Sequence, residues 1–327
     1  MNERLQFMTN VFTGNVMAIK RDFIWQSASI RRLAALLYAA EGKEIDCGAI
    51  RDCHSMIKEN TGVFSIFRGN SAVTVATLLS LDSSREQLLK NTLEVYELMR
   101  KARFRALDHL AVAAYQIAAK AKPEEFQGAV DKARAFYDGM KEEHRLITGY
   151  DDYMFAAQLG LSGIQVETGL MRIEAFYEAF RPELRFRNGV QALSQVLVLG
   201  DMPMDCVNRL LTLRDRLRSV GLRLDREYSV SSLGILTMLP GSIDELLNDL
   251  SETYELLRGG KGFSSWTVTK QELLIICAAL VGFSRVNDRN NEIVTTVAAS
   301  ITSILIAQQI AAAADASSSV AAAAAAN

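Results

Sequence analysis

The sequence predicts an all-α fold of tandem helical hairpins about 40 residues long, and three observations predict it. A small-residue apolar motif recurs: Leu33-Ala-Ala-Leu-Leu, Val75-Ala-Thr-Leu-Leu, Val112-Ala-Ala-Tyr, Phe155-Ala-Ala-Gln-Leu, Ala192-Leu-Ser-Gln-Val, Ser232-Leu-Gly-Ile-Leu and Cys277-Ala-Ala-Leu-Val. Between these motifs lie charged, amphipathic stretches with a tyrosine at a fixed place. Tyr96, Tyr137, Tyr177 and Tyr254, with Asp215 in the one slot that lacks it, are spaced by 41, 40, 38 and 39 residues. Finally, no segment alternates polar and apolar residues between turn signals, and only four prolines interrupt 327 residues. An open α-solenoid is the first arrangement such repeats predict. A closed α/α toroid is the alternative, because six or seven hairpins can also curl into a ring.

In chain order, residues 1–27 read as an N-terminal covering helix, with Phe7, Val11, Phe12, Val16 and Ile19 at helical spacing. Residues 28–287 form the hairpin domain. Its first helices are apolar nearly all round and so belong in a buried inner row, while the second helices carry one apolar stripe. Ser83 with Glu86 and Ser242 with Glu245 read as capping boxes. Ser71, Asp108, Asp151, Ser229 and Thr269 stand where first helices should begin. Residues 288–314 read as a terminal docked apolar helix. Its stretch 294–314 has no charge for 21 residues but carries Val294, Val297, Ile301 and Ile304 on one stripe beside several serines, threonines and glutamines. Residues 315–327 are an Ala/Ser-rich flexible tail.

Composition excludes several classes. A net charge of −2 and a pI near 6.0 argue against nucleic acid as partner. Cys47, Cys53, Cys206 and Cys277 lie too far apart for a CxxC pair or a zinc framework, so reduced and mostly buried thiols are expected. No leader-like apolar core follows Glu3 and Arg4, and the cytoplasm is the expected compartment, with membrane association through 294–314 as the alternative.

Two groups are candidate sites. The loops from each second helix to the next first helix carry Arg68, Arg105, Arg145, Arg185 with Arg187, Arg223 with Arg226, and Lys261. Arg68, Arg105, Arg145, Arg185 and Arg223 are separated by four intervals of 37, 40, 40 and 38 residues. In a stacked array, residues in register form a row, here a cationic one suited to an acidic segment. The bland alternative is a set of exposed loop arginines paired with Glu183, Asp225 or Glu227. The second group is Asp151 and Asp152 with His109, at the starts of first helices, where a pocket or a Mg²⁺ would need carboxylates. A helix cap with a second acid in the first turn is the plainer reading of the aspartates. Phe67-Arg68-Gly69-Asn70 reads as a turn built on a left-handed glycine rather than an anion nest.

Phe67-Arg-Gly-Asn followed by Leu78-Leu79-Ser80, Asp151-Asp152-Tyr153 followed by Phe155-Ala-Ala, and the Ala/Ser-rich C-terminus resemble the bacterial family described as domain of unknown function 4003. The resemblance covers nearly the whole chain and implies a bacterial protein, but it carries no activity to transfer. The expected function is therefore a non-enzymatic helical-repeat scaffold that binds a protein or peptide, an acidic one if the arginine row is used. No catalytic residue, metal or cofactor is assigned. The competing expectation is an enzyme or small-ligand binder with a pocket at the N-termini of the inner helices. Self-association is expected, if at all, through the C-terminal helix.

Overall fold

The computed structural model describes residues 1–226, 229–286, 301–303 and 306, and every regular element among them is helical. Seven inner helices coincide with the seven small-residue motifs. They are α2 (Ala28–Ala40), α4 (Ala72–Ser80), α6 (Asp108–Lys120), α8 (Asp152–Leu161), α10 (Arg187–Leu199), α12 (Val230–Met238) and α14 (Lys270–Val286). Their burial follows from composition: every residue of α4 from Ala72 to Leu79 is buried, as a helix apolar on all sides requires. Between them run α1 (Glu3–Ile19), α3 (Cys47–Glu59), α5 (Arg85–Lys101), α7 (Phe126–Glu143), α9 (Val166–Phe180), α11 (Cys206–Ser219) and α13 (Ile243–Gly259). These are one-sided. In α5 only Leu88, Leu89, Thr92, Val95 and Met99 are buried.

Each outer helix packs most extensively on the inner helix that follows it, and each inner helix touches the next inner one. The sequence of contacts does not stop at the last hairpin. α14 touches α2, and α1 lies against α13 and α14. Arg32 of α2 grips Glu272 of α14 with both carboxylate oxygens, Nε to Oε1 at 2.8 Å and Nη2 to Oε2 at 2.9 Å. Phe12 of α1 meets Phe263, in the loop before α14, with ring centroids 5.6 Å apart. An open solenoid leaves its first and last hairpins far apart. These contacts contradict that arrangement and form a closed cycle. The N-terminal helix is accordingly no mere cover, because α1 is the outer partner of α2. On it Leu5, Met8, Phe12 and Ile19 face inward, whereas Phe7 is exposed.

The recurring tyrosines have a common job. Tyr96 of α5 packs edge-on against Phe67 in the connection before α4 (5.2 Å), and tilted contacts join Tyr137 of α7 to Phe104 (5.8 Å) and Tyr177 of α9 to His144 (4.1 Å). Each joins one hairpin to the next. Outer-helix arginines add a second tie through backbone carbonyls. Arg134 reaches Arg103 O at 3.2 Å, Arg214 reaches Glu183 O at 3.2 Å, and Arg209 reaches Gly241 O at 2.8 Å.

The helix starts are capped less locally than expected. The Ser242–Glu245 box forms, and Thr269 Oγ1 accepts from Glu272 N. α5, however, starts at Arg85 behind Ser84, and no side chain caps it. Asp108 does not cap its own helix. Its Oδ1 accepts the Ser71 N–H at 2.8 Å, in the preceding hairpin. Asp151 makes no capping bond either, and Asp152, the first residue of α8, accepts instead from the Gly149 N–H in the loop before the helix. Gly69 has φ −85°, so the turn there needs no left-handed residue.

The inner helices run parallel. Ser71 meets Asp108 at their starts, and Tyr38 OH meets Ser80 Oγ near their ends at 2.7 Å. The loops that lead from outer to inner helices therefore gather at one end of the ring, the entry end.

Candidate functional site

The entry end collects the arginines that the sequence placed in register, but they do not form one uniform row. Arg68 folds back on its own loop. It donates to Thr61 O at 2.5 Å and to Lys58 O, and is half-buried. Arg223 is paired with Asp225 at 3.4 Å, and Arg218 holds the same carboxylate. Those two hairpins follow the bland reading, with the carboxylate of Asp225 held below its ordinary pKa by its arginine partners despite burial. Arg105 donates to Tyr150 OH at 2.7 Å yet stays exposed. Arg145, Arg185, Arg187 and Arg226 are exposed, and among the described residues none of them has a salt bridge. The row thus reduces to Arg105, Arg145, Arg185, Arg187 and Arg226.

The same end carries apolar side chains that the sequence reading passed over. Phe64 is 100% exposed and Trp266 97% exposed, and Ile24, Trp25 and Val63 are exposed as well. They belong to the loops before α14, α2 and α4, three neighbours that become contiguous only because the ring closes. Both tryptophans of the chain are in this set. Leu146 is also exposed, beside Arg145 on the loop before α8.

The acidic candidates sit deeper. Asp152 is buried. Its Oδ2 accepts the Gly149 N–H at 2.8 Å, and its Oδ1 accepts Gln191 Nε2 at 3.0 Å and Gln195 Nε2 at 2.6 Å. Thr148 completes the network by donating to Gln191 Oε1 at 3.3 Å. Both carboxylate oxygens are engaged by protein donors, so Asp152 is a strut between α8 and α10 rather than a ligand awaiting a cation. Burial, then the neighbouring Asp151 carboxylate, push the Asp152 carboxyl up to about 7 against the pull of those three donors. His109 is half-buried. Burial lowers its pKa, while Asp151 and Asp108 act to raise it, so Asp151 and His109 share one electrostatic neighbourhood. Among the described residues no three histidine, cysteine or carboxylate side chains are grouped to hold a metal. The four cysteines are free thiols, and burial pushes Cys47 and Cys206 up to about 11, far from a reactive thiolate.

Asp152 makes stability pH-dependent in a defined direction. Its native pKa lies above the ordinary value of 3.8, so the native state holds the proton more tightly than the unfolded chain. The contribution is full below about pH 4 and is lost as pH rises towards 7, on the order of a few kcal/mol. Asp152→Asn removes this slope, while its amide N–H opposes the Gly149 N–H. Urea unfolding at pH 5 and pH 8 should show the gap between wild type and variant narrowing as pH rises.

The family described as Protein of unknown function (DUF4003) matches residues 15–311, from within α1 past the last helix of the ring. The chain belongs to this family. It has no significant match among curated proteins or solved structures. The matched span includes both candidate groups and also residues 301–303 and 306, part of the stretch read as a terminal docked apolar helix. Ile301, Ser303 and Ile306 are buried, and Gln116 of α6 and Gln158 of α8, two inner helices, both donate to Ser303 Oγ. The rest of 294–314 lies outside the described residues, and no described helix is long and apolar enough to cross a membrane. The signal that was available was the glutamine at the end of Val112-Ala-Ala-Tyr-Gln116 and Phe155-Ala-Ala-Gln158, a polar residue on an otherwise apolar inner helix.

A groove of about 1000 Å³ lies between α3 and α5, away from these groups. Asp52, Glu59 and Glu86 share it with Arg85 and Lys90, a mixture that selects neither sign of ligand.

Proposed function

We propose that this family member is a non-enzymatic binding module, a toroid of tandem helical hairpins that docks an acidic protein or peptide segment on its entry end. The observation that carries the reading is that one end of the ring presents exposed Trp25, Phe64 and Trp266 on the loops before α2, α4 and α14 and, on another arc of the same end, exposed Arg145, Arg185 and Arg187, which have no salt bridge among the described residues. Tryptophan and arginine are the side chains that most often anchor interfaces. Large aromatics left in water mark a surface that gains from being covered. The arginines choose the sign of the partner and speed encounter, and the aromatics supply the buried area. The pocket alternative has weaker support, because the oxygens of Asp152 are already engaged.

The two tryptophans make the test direct. The probe is a synthetic peptide of alternating Glu and Leu, compared with a Gln–Leu peptide and with phosphatidylserine vesicles, and the readout is tryptophan emission. A saturable blue shift with the acidic peptide is expected, weakened about tenfold in the Arg145→Ala, Arg185→Ala, Arg187→Ala triple variant and reduced by salt. A shift with vesicles alone would replace the peptide reading with a lipid one. No shift with any probe would remove the entry end as a docking face.

A further inference from the structure

We infer that the centre of the ring is a peptide-binding channel and that its resident ligand is this chain's own C-terminal segment, through residues 301–303 and 306. The geometry that points there is the order of the inner helices. α2, α4, α6, α8, α10, α12 and α14 succeed one another and close. From α14, three steps in one direction reach α6 and three in the other reach α8, so α14 faces the pair across the ring. The segment touches both sides. Ser303 Oγ receives the amide donors of Gln116 on α6 and Gln158 on α8. On the far side, Ile301 Cδ1 sits 2.6 Å from where a Cβ on Gly282 of α14 would stand, and Ile235 Cγ2 of α12 is 3.4 Å from the same point. A segment in contact with opposite walls of a closed ring occupies its middle.

Burial agrees with that position. Ile301 is 1% exposed, and Ser303 and Ile306 are fully covered. The ring's contribution is a matched seat. Gly282 makes room for a branched apolar residue, and two residues further along a small hydroxyl must meet two amides. That hydroxyl is an acceptor shared by the two amides, so replacing it takes one hydrogen bond from each wall. The channel therefore favours an Ile-x-Ser pattern over apolar character in general. This inference is independent of the docking face, which lies on the entry-end loops.

The experiment uses the full chain. Ile301→Asp, and Ser303→Val as a gentler variant, weaken the resident segment, and each is expected to lower Tm by about 2–5 °C. A synthetic peptide of residues 294–314 should then restore Tm saturably in both variants and leave wild type unchanged. Gly282→Ala should lower Tm alone and be relieved by Ile301→Val, and Ser303→Val should be partly relieved by Gln158→Leu, giving coupling on both walls. Additive effects in either cycle would overturn the bridging position. Failure of the peptide to act on the folded Ser303→Val variant would overturn the channel. A dimer of the wild type by sedimentation, with the same coupling, would overturn occupancy by the chain's own segment in favour of a second copy's.

Discussion

Replacing Arg32 with alanine is expected to cost about 2–4 kcal/mol of unfolding free energy, more than any single exposed ion pair in the molecule. Its guanidinium is 8% exposed and its partner Glu272 18% exposed. The bond joins the second helix of the chain to the fourteenth, 240 residues later. The variant leaves Glu272 without its partner in a half-buried seam and weakens the junction where the first and last hairpins of the described ring meet through non-covalent contacts. A closed ring with all neighbours satisfied should unfold in one step, whereas an array open at one seam loses cooperativity from its ends. Urea unfolding followed by tryptophan emission and by circular dichroism should coincide for wild type. In Arg32→Ala the tryptophan transition should come first, because Trp25 and Trp266 flank the seam.

Gly160→Val is expected to cost about 3 kcal/mol, the upper part of the range for overpacking. A Cβ on this residue of α8 would lie 2.5 Å from Ala129 O and 2.9 Å from Ala133 Cβ, both on α7. The obstacle is backbone, which has no rotamer to give. By contrast, a Cβ at Gly200 would meet the flexible Met238 side chain, so Gly200→Ala should be tolerated with a much smaller loss. Thermal unfolding of the two variants side by side would separate close helix approach from mere small size.

Much of this fold is legible in the sequence because its information is local. Val75-Ala-Thr-Leu-Leu has no polar face and must be buried, and Tyr96 and Tyr137 sit one repeat apart on helices with a single apolar stripe. What each tyrosine touches is not legible, since Phe67 and Phe104 lie in loops, at no helical spacing from their partners. Closure is not legible either. Ring or solenoid depends on a small rotation per hairpin, summed over seven, and the residues that seal it are 240 positions apart. The capping residues show a subtler failure. Asp108 stands where an N-cap should, yet its carboxylate serves Ser71 in the hairpin before. The same logic splits the arginine row. All its members have loop spacing, but Arg68 has carbonyls of its own loop within reach and Arg223 has Asp225 two residues away. Arg145 and Arg185 also have an acid two positions away, Glu143 and Glu183, but neither pair forms among the described residues, and Glu183 is held by Arg214 instead.

The aromatic sector of the entry end is continuous only if hairpins at the two ends of the chain are neighbours, so the docking face and the channel both depend on closure. The most direct test is the distance between spin labels at Ser27, before α2, and Lys270, at the start of α14, in a background with Cys47 replaced by Ser. Labels on adjacent inner helices should give a narrow distribution below about 25 Å. Six helix-to-helix steps of 8–10 Å in an open row would put the same labels about 50–60 Å apart. The short distance is the result predicted here. The long one would contradict the ring, and with it the joined aromatic face and the central channel.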